Sequence, residues 1–374
     1  MFIPLGLARK YGVGFYPLIF LAMEEVRARF PFGGFGWLRL AYSQADAPYR
    51  AIAAYGGVSA LTAITLCFGL VGHGLLTHRL VLLPLFPLLL LFHSLPVHTI
   101  GKTQVLMVQG DVPQLGLDFN SRAQAVFNNH VKETRIALKE DRNIDFILWP
   151  ENAIDIDPFT HPQVAETLNS FQTPLIVGAV ITSKGSLQNA SIDWTNEAQN
   201  VYVKQHLTPF GEYIPLRKLA EKISPLARSV EDFSAGSQST SFTIGSARIA
   251  PVICFELIDD QILEKAAGES NLIVVQTNSA TFGTSAQSAQ QLGISRIRAI
   301  EHGRNILSVS TIGISAVIDF RGKLHQQTLV HEPAHLVATV NLIDSTTPRD
   351  KAGDWALIAT GIWLWIVAKR RLYT

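Results

Sequence analysis

Hydrophobic positions change their rhythm once along this chain. Before residue 100 they come in long runs. Ala51 to Gly72 has no charged side chain over about the length that crosses a bilayer. Leu80 to Pro96 is a second such run, rich in leucine and broken by Pro84 and Pro87. Prolines are tolerated in membrane helices when neighbours re-satisfy the freed backbone groups. Tyr11–Met23 and Trp355–Ala368 are shorter, but Arg9 and Lys10 flank the first and Lys369, Arg370 and Arg371 the second. Basic residues stay on the cytoplasmic side. Placing these, with the His73–Arg79 turn, on that side gives four crossings and puts residues 98–352 on the outer face. A signal peptide is a poorer reading of the start, because Glu24 and Glu25 directly follow the apolar run and no small-residue cleavage site is evident. Residues 27–50, with arginines interleaved among Phe30, Phe32, Phe35 and Trp37, suit the headgroup level of a membrane or an ordinary exposed loop.

After residue 103 the runs shorten and alternate. Val105–Gln109, Asp145–Trp149, Pro174–Val180, Gln199–Val203, Arg248–Ile253, Leu272–Thr277, Ile306–Ser310 and Ser315–Asp319 read as strands. Apolar positions at helical spacing predict helices over Arg122–Lys139, Asp259–Ala267 and Gln287–Glu301. Alternating strands and helices indicate a layered α/β domain. The predicted organisation is a membrane region over 1–97, an extracytoplasmic domain over 98–352 and a C-terminal transmembrane helix with a basic tail over 353–374.

Composition narrows the chemistry. Hydrophobic residues make up 48% and charged residues 16%, more apolar than an ordinary soluble protein. A net charge of +1 with no basic face excludes nucleic acid as the expected partner. Two cysteines, Cys67 in an apolar run and Cys254 outside it, indicate no disulfide framework. His331-Glu-Pro-Ala-His335 has zinc spacing, but that spacing binds metal only on a helix. Pro333 and strand-like flanks (Thr328-Leu-Val and Leu336-Val-Ala-Thr-Val), read as a hairpin, argue against a metal.

Three phrases carry the chemistry: Phe146-Ile-Leu-Trp-Pro-Glu151, Val201-Tyr-Val-Lys204-Gln-His-Leu-Thr-Pro-Phe-Gly-Glu212-Tyr-Ile-Pro215 and Ile249-Ala-Pro-Val-Ile-Cys254-Phe255-Glu256. Cys254 falls at a strand-to-helix corner, where a side chain projects and free N–H groups can face an oxyanion. A nearby cation and helix polarity are expected to lower the thiol's pKa. Lys204 can supply that cation and hold a tetrahedral oxyanion. Glu151 can take the thiol proton and return one to a leaving group. Glu212 is either part of the site or a solvated loop carboxylate, and Glu256 orients the site with Phe255 or makes a core salt bridge. Arg298 and Glu301, at i,i+3, read as structural.

In this order and with these flanks, the phrases resemble the carbon–nitrogen hydrolase (nitrilase) superfamily. That resemblance implies a four-layer α-β-β-α sandwich, here inserted between transmembrane helices, and no cofactor. The flanks Trp149-Pro-Glu-Asn-Ala153, Lys204 to Leu216, Arg298 to Arg304 and Thr311 to Val317, with Phe35 to Gln44, resemble apolipoprotein N-acyltransferases. The likeness implies a multi-pass protein of the bacterial inner membrane. It implies acyl transfer from a phospholipid to the amino-terminal diacylglyceryl-cysteine of an apolipoprotein, through a Cys254 thioester. In that family a glutamate at the place of Glu212 belongs to the active-site surroundings. Two other readings stand beside it: a membrane-tethered amidase with water as acceptor, and a membrane partner of a polyprenyl-phosphate mannose synthase. Two departures are visible. Four runs are counted where such families have about eight, so three or four spans are expected upstream. Leu115-Gly-Leu-Asp-Phe119 replaces a tryptophan often found after the Gln109-Gly110 start.

Overall fold

A computed structural model describes residues 6, 16–76, 95–112, 119–140, 143–224, 228, 231–283, 285–355, 357–359 and 361–362. Among these the helices run α1 (Tyr16–Arg29), α2 (Ala53–Leu76), α3 (Phe119–Glu140), α4 (Pro162–Asn169), α5 (Arg217–Ile223), α6 (Asp260–Glu269), α7 (Gln287–His302) and α8 (Pro348–Ala352). Two units form: one from 1–97, 297–303 and 345–374, the other from 98–296 and 304–344.

The second unit is built on two six-stranded sheets. The first takes β1 (Thr99–Gln109), β2 (Phe146–Leu148), β3 (Leu175–Ser183), β4 (Ser186–Thr195) and β5 (Glu197–Val203). The other takes β6 (Phe242–Ile244), β7 (Ala247–Ile253), β8 (Leu272–Thr277), β9 (Ile306–Ser310), β10 (Ala316–Ile318) and β11 (Leu324–Gln327). The chain then returns through β12 (Ala334–Ile343) to the open edge of β1. Strands β1–β3 are parallel, as are β7–β9, and antiparallel strands flank each set.

Strand periodicity sorts the core into two layers. Val105, Met107, Phe146 and Leu148 point at the second sheet and pack with Ile249, Ile253, Leu272 and Leu307. Their alternates Leu106, Val108, Ile147 and Trp149 point the other way, onto Phe127 and Val131 of α3 and Val164 and Leu168 of α4. Burial of each such side chain contributes about 1.5–3 kcal/mol.

Most predicted elements form within a residue or two of their predicted bounds. Two differences have physical causes. β4 escaped the pattern because Gln188, Asn189, Ser191 and Asp193 replace the apolar positions, and antiparallel pairing to β3 and β5 holds it as a strand. The expected hairpin across His331–His335 does not form: β12 pairs with β1, while β11 pairs with β10 in the other sheet. His331 sits in the connection at positive φ with Nε2 3.1 Å from the Gly283 carbonyl, and His335 faces Glu133 at 2.7 Å. The two imidazoles therefore have separate partners.

In the first unit, Arg50–Gly72 is the one stretch among the described residues that is long and apolar enough to cross a membrane. The run at Leu80–Pro96 lies largely outside the described residues, as does most of Trp355–Ala368. Tyr11–Met23 is described only from Tyr16, where α1 begins. The 27–50 segment divides, with Trp37, Ala41 and Tyr42 buried and Phe30, Phe32 and Phe35 exposed. Glu24 is buried, accepting from the Leu40 N–H at 2.7 Å and the Thr62 hydroxyl at 3.0 Å.

Helix α2 breaks at Gly56 and Gly57, where Gly57 adopts φ 70°. A carboxylate completes the break. Glu301 accepts from the freed Val58 N–H at 3.1 Å and pairs with Arg298 at 2.6 Å and Arg349 at 3.5 Å, all three charged groups being buried. The structural reading of Arg298 and Glu301 thus has a physical content. A methyl group at Gly57 would lie 2.7 Å from Glu301 Oε1 on a backbone that side chains rarely adopt. Gly57→Ala is expected to destabilise the protein by about 1–3 kcal/mol. Thermal unfolding in detergent checks this; an unchanged midpoint would show that the break does not depend on Gly57.

Candidate active site

Glu151, Lys204 and Cys254 each follow the end of a strand, and the two-sheet packing brings those ends together. Trp149-Pro150 carries the chain past β2, and Gly178 of β3 lets it pass. A Cβ at Gly178 would lie 2.2 Å from the Pro150 carbonyl and 2.6 Å from Glu151 Cα. The Asn278 N–H, beyond β8, donates to Glu151 Oε2 at 2.7 Å, and the Gln276 amide holds the Trp149 carbonyl at 2.7 Å. Both sheets therefore fix one carboxylate.

Lys204 follows β5 and is almost fully buried. Its ammonium has a partner for every hydrogen: Glu212 Oε2 at 2.8 Å, Glu151 Oε1 at 3.1 Å and the Thr208 hydroxyl at 3.3 Å. Glu212 is a buried member of the site, not a solvated loop group. It also accepts from the Thr208 N–H at 2.7 Å. Burial alone would lower the lysine's pKa; Glu151 and Glu212, with Cys254, outweigh it and raise the value above the ordinary one. Burial would likewise raise Glu212, but Lys204, Asn189 and the Thr208 N–H hold it below the usual carboxylate range.

Cys254 directly follows β7 and opens a 3₁₀ turn, Cys254–Ile258, with φ 47°. A non-glycine residue in this left-handed region is strained and persists where its surroundings over-determine it. Glu256 does so here. Its Oε2 accepts from the Ile253 N–H at 2.7 Å, while Oε1 accepts from the Tyr202 hydroxyl at 2.8 Å and the Gln205 N–H at 2.6 Å. The fully buried carboxylate thus ties the thiol's corner to the residue after Lys204, in place of the core salt bridge considered from sequence. Burial pushes its pKa up to about 7, against those donors. Phe255 is buried edge-on against His206, with ring centroids 5.2 Å apart, and His206 reaches Asp259 at 2.8 Å.

One sequence expectation is overturned. The thiol's pKa is raised, not lowered. Burial is the largest cause, and the Glu151 and Glu212 carboxylates add to it, outweighing the Lys204 ammonium. Helix polarity adds nothing evident at this corner, since α6 starts only at Asp260, behind the 3₁₀ turn and its own Asp259 cap. The half-buried Cys254 thiol is thus biased toward its protonated form. Sequence reasoning also missed Asn189, which donates to both Glu151 and Glu212, and Gln291, whose amide lies 3.9 Å from the sulfur. Neither stands in a phrase with a distinguishing pattern.

Comparisons with known proteins bear on the family and the fold. Residues 107–346 match a family model for carbon–nitrogen hydrolases, and residues 4–71 match one for the apolipoprotein N-acyltransferase N-terminal domain. An apolipoprotein N-acyltransferase of Mycolicibacterium smegmatis is 34% identical over 71% of this chain and 48% of its own length. One of Vibrio parahaemolyticus is 29% identical over 87% of this chain and 68% of its own length. The chain therefore spans about half of the mycobacterial relative. A carbon–nitrogen hydrolase structure from Helicobacter pylori superposes with a TM-score of 0.50 at 13% identity, over 65% of this chain and 90% of that one, a likeness of fold.

Removing the ammonium tests the electrostatic account. In Lys204→Met two buried carboxylates lose their cation, at a cost of about 3–5 kcal/mol. The sign with pH also changes. The depressed Glu212 carboxyl of the unsubstituted protein contributes stability at neutral pH that is lost as pH falls through its folded value. In Lys204→Met the burial that raises Glu212 is no longer opposed by the ammonium, so the melting temperature is expected to rise from pH 8 to pH 5. Parallel melting profiles for the two proteins would contradict this.

Proposed function

The chain belongs to the carbon–nitrogen hydrolase family, and from that membership we propose that it transfers a fatty acyl chain from a phospholipid to the α-amino group of diacylglyceryl-cysteine at the N-terminus of an apolipoprotein. The observation that carries the reading is a thiol set against a buried Glu–Lys–Glu cluster, in a chain whose first residues match the N-terminal domain of apolipoprotein N-acyltransferases. The named relatives support the acyltransferase; they give no support to a polyprenyl-phosphate mannose synthase as partner.

Cys254 is the nucleophile, Glu151 the general acid–base and Lys204 the oxyanion stabiliser. As sulfur attacks the ester carbonyl, Glu151 takes the thiol proton. The C–S bond forms and the carbonyl becomes an oxyanion. Lys204 meets that charge by turning its longest contact, the one to Thr208, toward it. Collapse breaks the C–O bond, and Glu151 returns the proton to the departing lysophospholipid oxygen, leaving a thioester. The acceptor amine then attacks, gives a proton to Glu151 and forms the amide; that proton returns to sulfur. Glu212 holds the ammonium, while Glu256 and Phe255 hold the nucleophile's corner.

The sheets with helices outside them support a four-layer α-β-β-α sandwich. We read residues 98–352 as this catalytic domain on the extracytoplasmic face of a bacterial inner membrane. Residues 1–97 are read as the membrane region before it and 353–374 as a transmembrane helix after it. Tethering keeps the thiol at the surface where both lipid substrates are confined.

Membranes containing the protein should convert a diacylated lipopeptide to a triacylated one, read by mass spectrometry together with an acyl adduct on Cys254. Cys254→Ser is expected to lose about a thousandfold or more of the rate. Full activity in that variant would overturn the site. An adduct that discharges only to water would identify an amidase.

A further inference from the structure

Two carboxylates around one ammonium pose a problem that the catalytic roles leave open. Closely placed carboxyls relieve their repulsion by sharing a proton, and a base that shares a proton is unavailable. The side chain between them is Asn189 of β4, buried at 1% exposure and assigned no role above. Its single amide nitrogen lies 2.7 Å from Glu151 Oε1 and 2.7 Å from Glu212 Oε1. Its backbone carbonyl accepts from the Lys204 N–H at 2.9 Å. One residue thus touches all three charged members of the site.

The orientation of the amide follows from its partners. Turned over, its oxygen would face two carboxylate oxygens. With both N–H groups committed, the carbonyl oxygen is buried with no partner among the described residues.

We infer that Asn189 is a positioning residue that holds Glu151 and Glu212 apart, filling with two non-transferable hydrogens the place where a shared proton would otherwise sit. This rests on the reading of Glu151 as the proton acceptor for Cys254. Glu151 is thereby kept free to accept the thiol proton, and Glu212 remains on the ammonium. Other groups facing the pair are Lys204 and Thr208 from the following loop, Cys254 from the β7 corner and the Asn278 N–H from beyond β8. None of these contacts both carboxylates with an uncharged donor. In Asn189→Ala the carboxyls can close on one proton. In Asn189→Asp, which barely changes volume, a third carboxyl joins them and proton retention increases.

The test uses the full chain in detergent. Acyl adduct formation on Cys254 is followed by mass spectrometry from pH 5 to pH 9 with a phospholipid donor, per folded protein by gel filtration. In both variants the acid limb of the rate profile is expected to move to higher pH by about one unit or more, further in Asn189→Asp. Much of the rate should return at alkaline pH. If Asn189→Ala fails to fold, the near-isosteric Asn189→Asp carries the comparison. A limb that stays in place while the rate falls uniformly would reduce Asn189 to a packing role and overturn the inference. An unsubstituted protein that forms no adduct at any pH would overturn the acyl-transfer reading, and this inference with it.

Discussion

Lys204 is a cation with almost no access to water, and the rest of the site follows from what it needs. A buried ammonium is costly unless charges of opposite sign and hydrogen-bond acceptors surround it. Here two carboxylates and a hydroxyl do so, from 2.8 to 3.3 Å. Each carboxylate then needs donors of its own, which come from Asn189, Thr208 and the Asn278 N–H. The network reaches strand ends in both sheets, so the packing of sheet on sheet and the geometry of the charges depend on one another.

The same constraint bears on the protonation of the Cys254 thiol. Burial raises the thiol's pKa most, and Glu151 and Glu212 together outweigh the Lys204 ammonium at the sulfur. A thiol that stays protonated is poorly reactive toward oxidants and stray electrophiles, since the thiolate is the reactive form. In the proposed mechanism it becomes a nucleophile when a carbonyl carbon is positioned and Glu151 takes the proton in the same step. The strained backbone of Cys254, held by Glu256, supports that arrangement because it leaves little freedom in where the sulfur points.

Much of this was legible in the sequence, and the rest was hidden for identifiable reasons. The central strands read correctly because parallel strands buried on both faces are continuous apolar runs, as in Leu272–Thr277 and Ile306–Ser310. Glu151 and Cys254 stood out because each comes just after such a run, and Lys204 because of the phrase that follows it. β4 did not, since its buried positions are polar and are satisfied by neighbours from elsewhere in the chain. Asn189 was illegible for the same reason: its importance lies in two contacts to residues 38 and 23 positions away. The thiol's proton affinity was misjudged because a phrase shows that a lysine is near, but not how many carboxylates share it. The false hairpin at His331–His335 arose because local pattern cannot distinguish a turn from a crossing between sheets.

The central claim is that burial and two carboxylates outweigh one ammonium at Cys254. Ultraviolet thiolate absorbance measures this directly, titrated in a Cys67→Ser background with Cys254→Ala as the reference. The account requires no thiolate signal from Cys254 at or below the ordinary thiol pKa of 9.0. Half-ionisation near or below neutral pH would contradict it, and would mean that Lys204 controls the sulfur on its own.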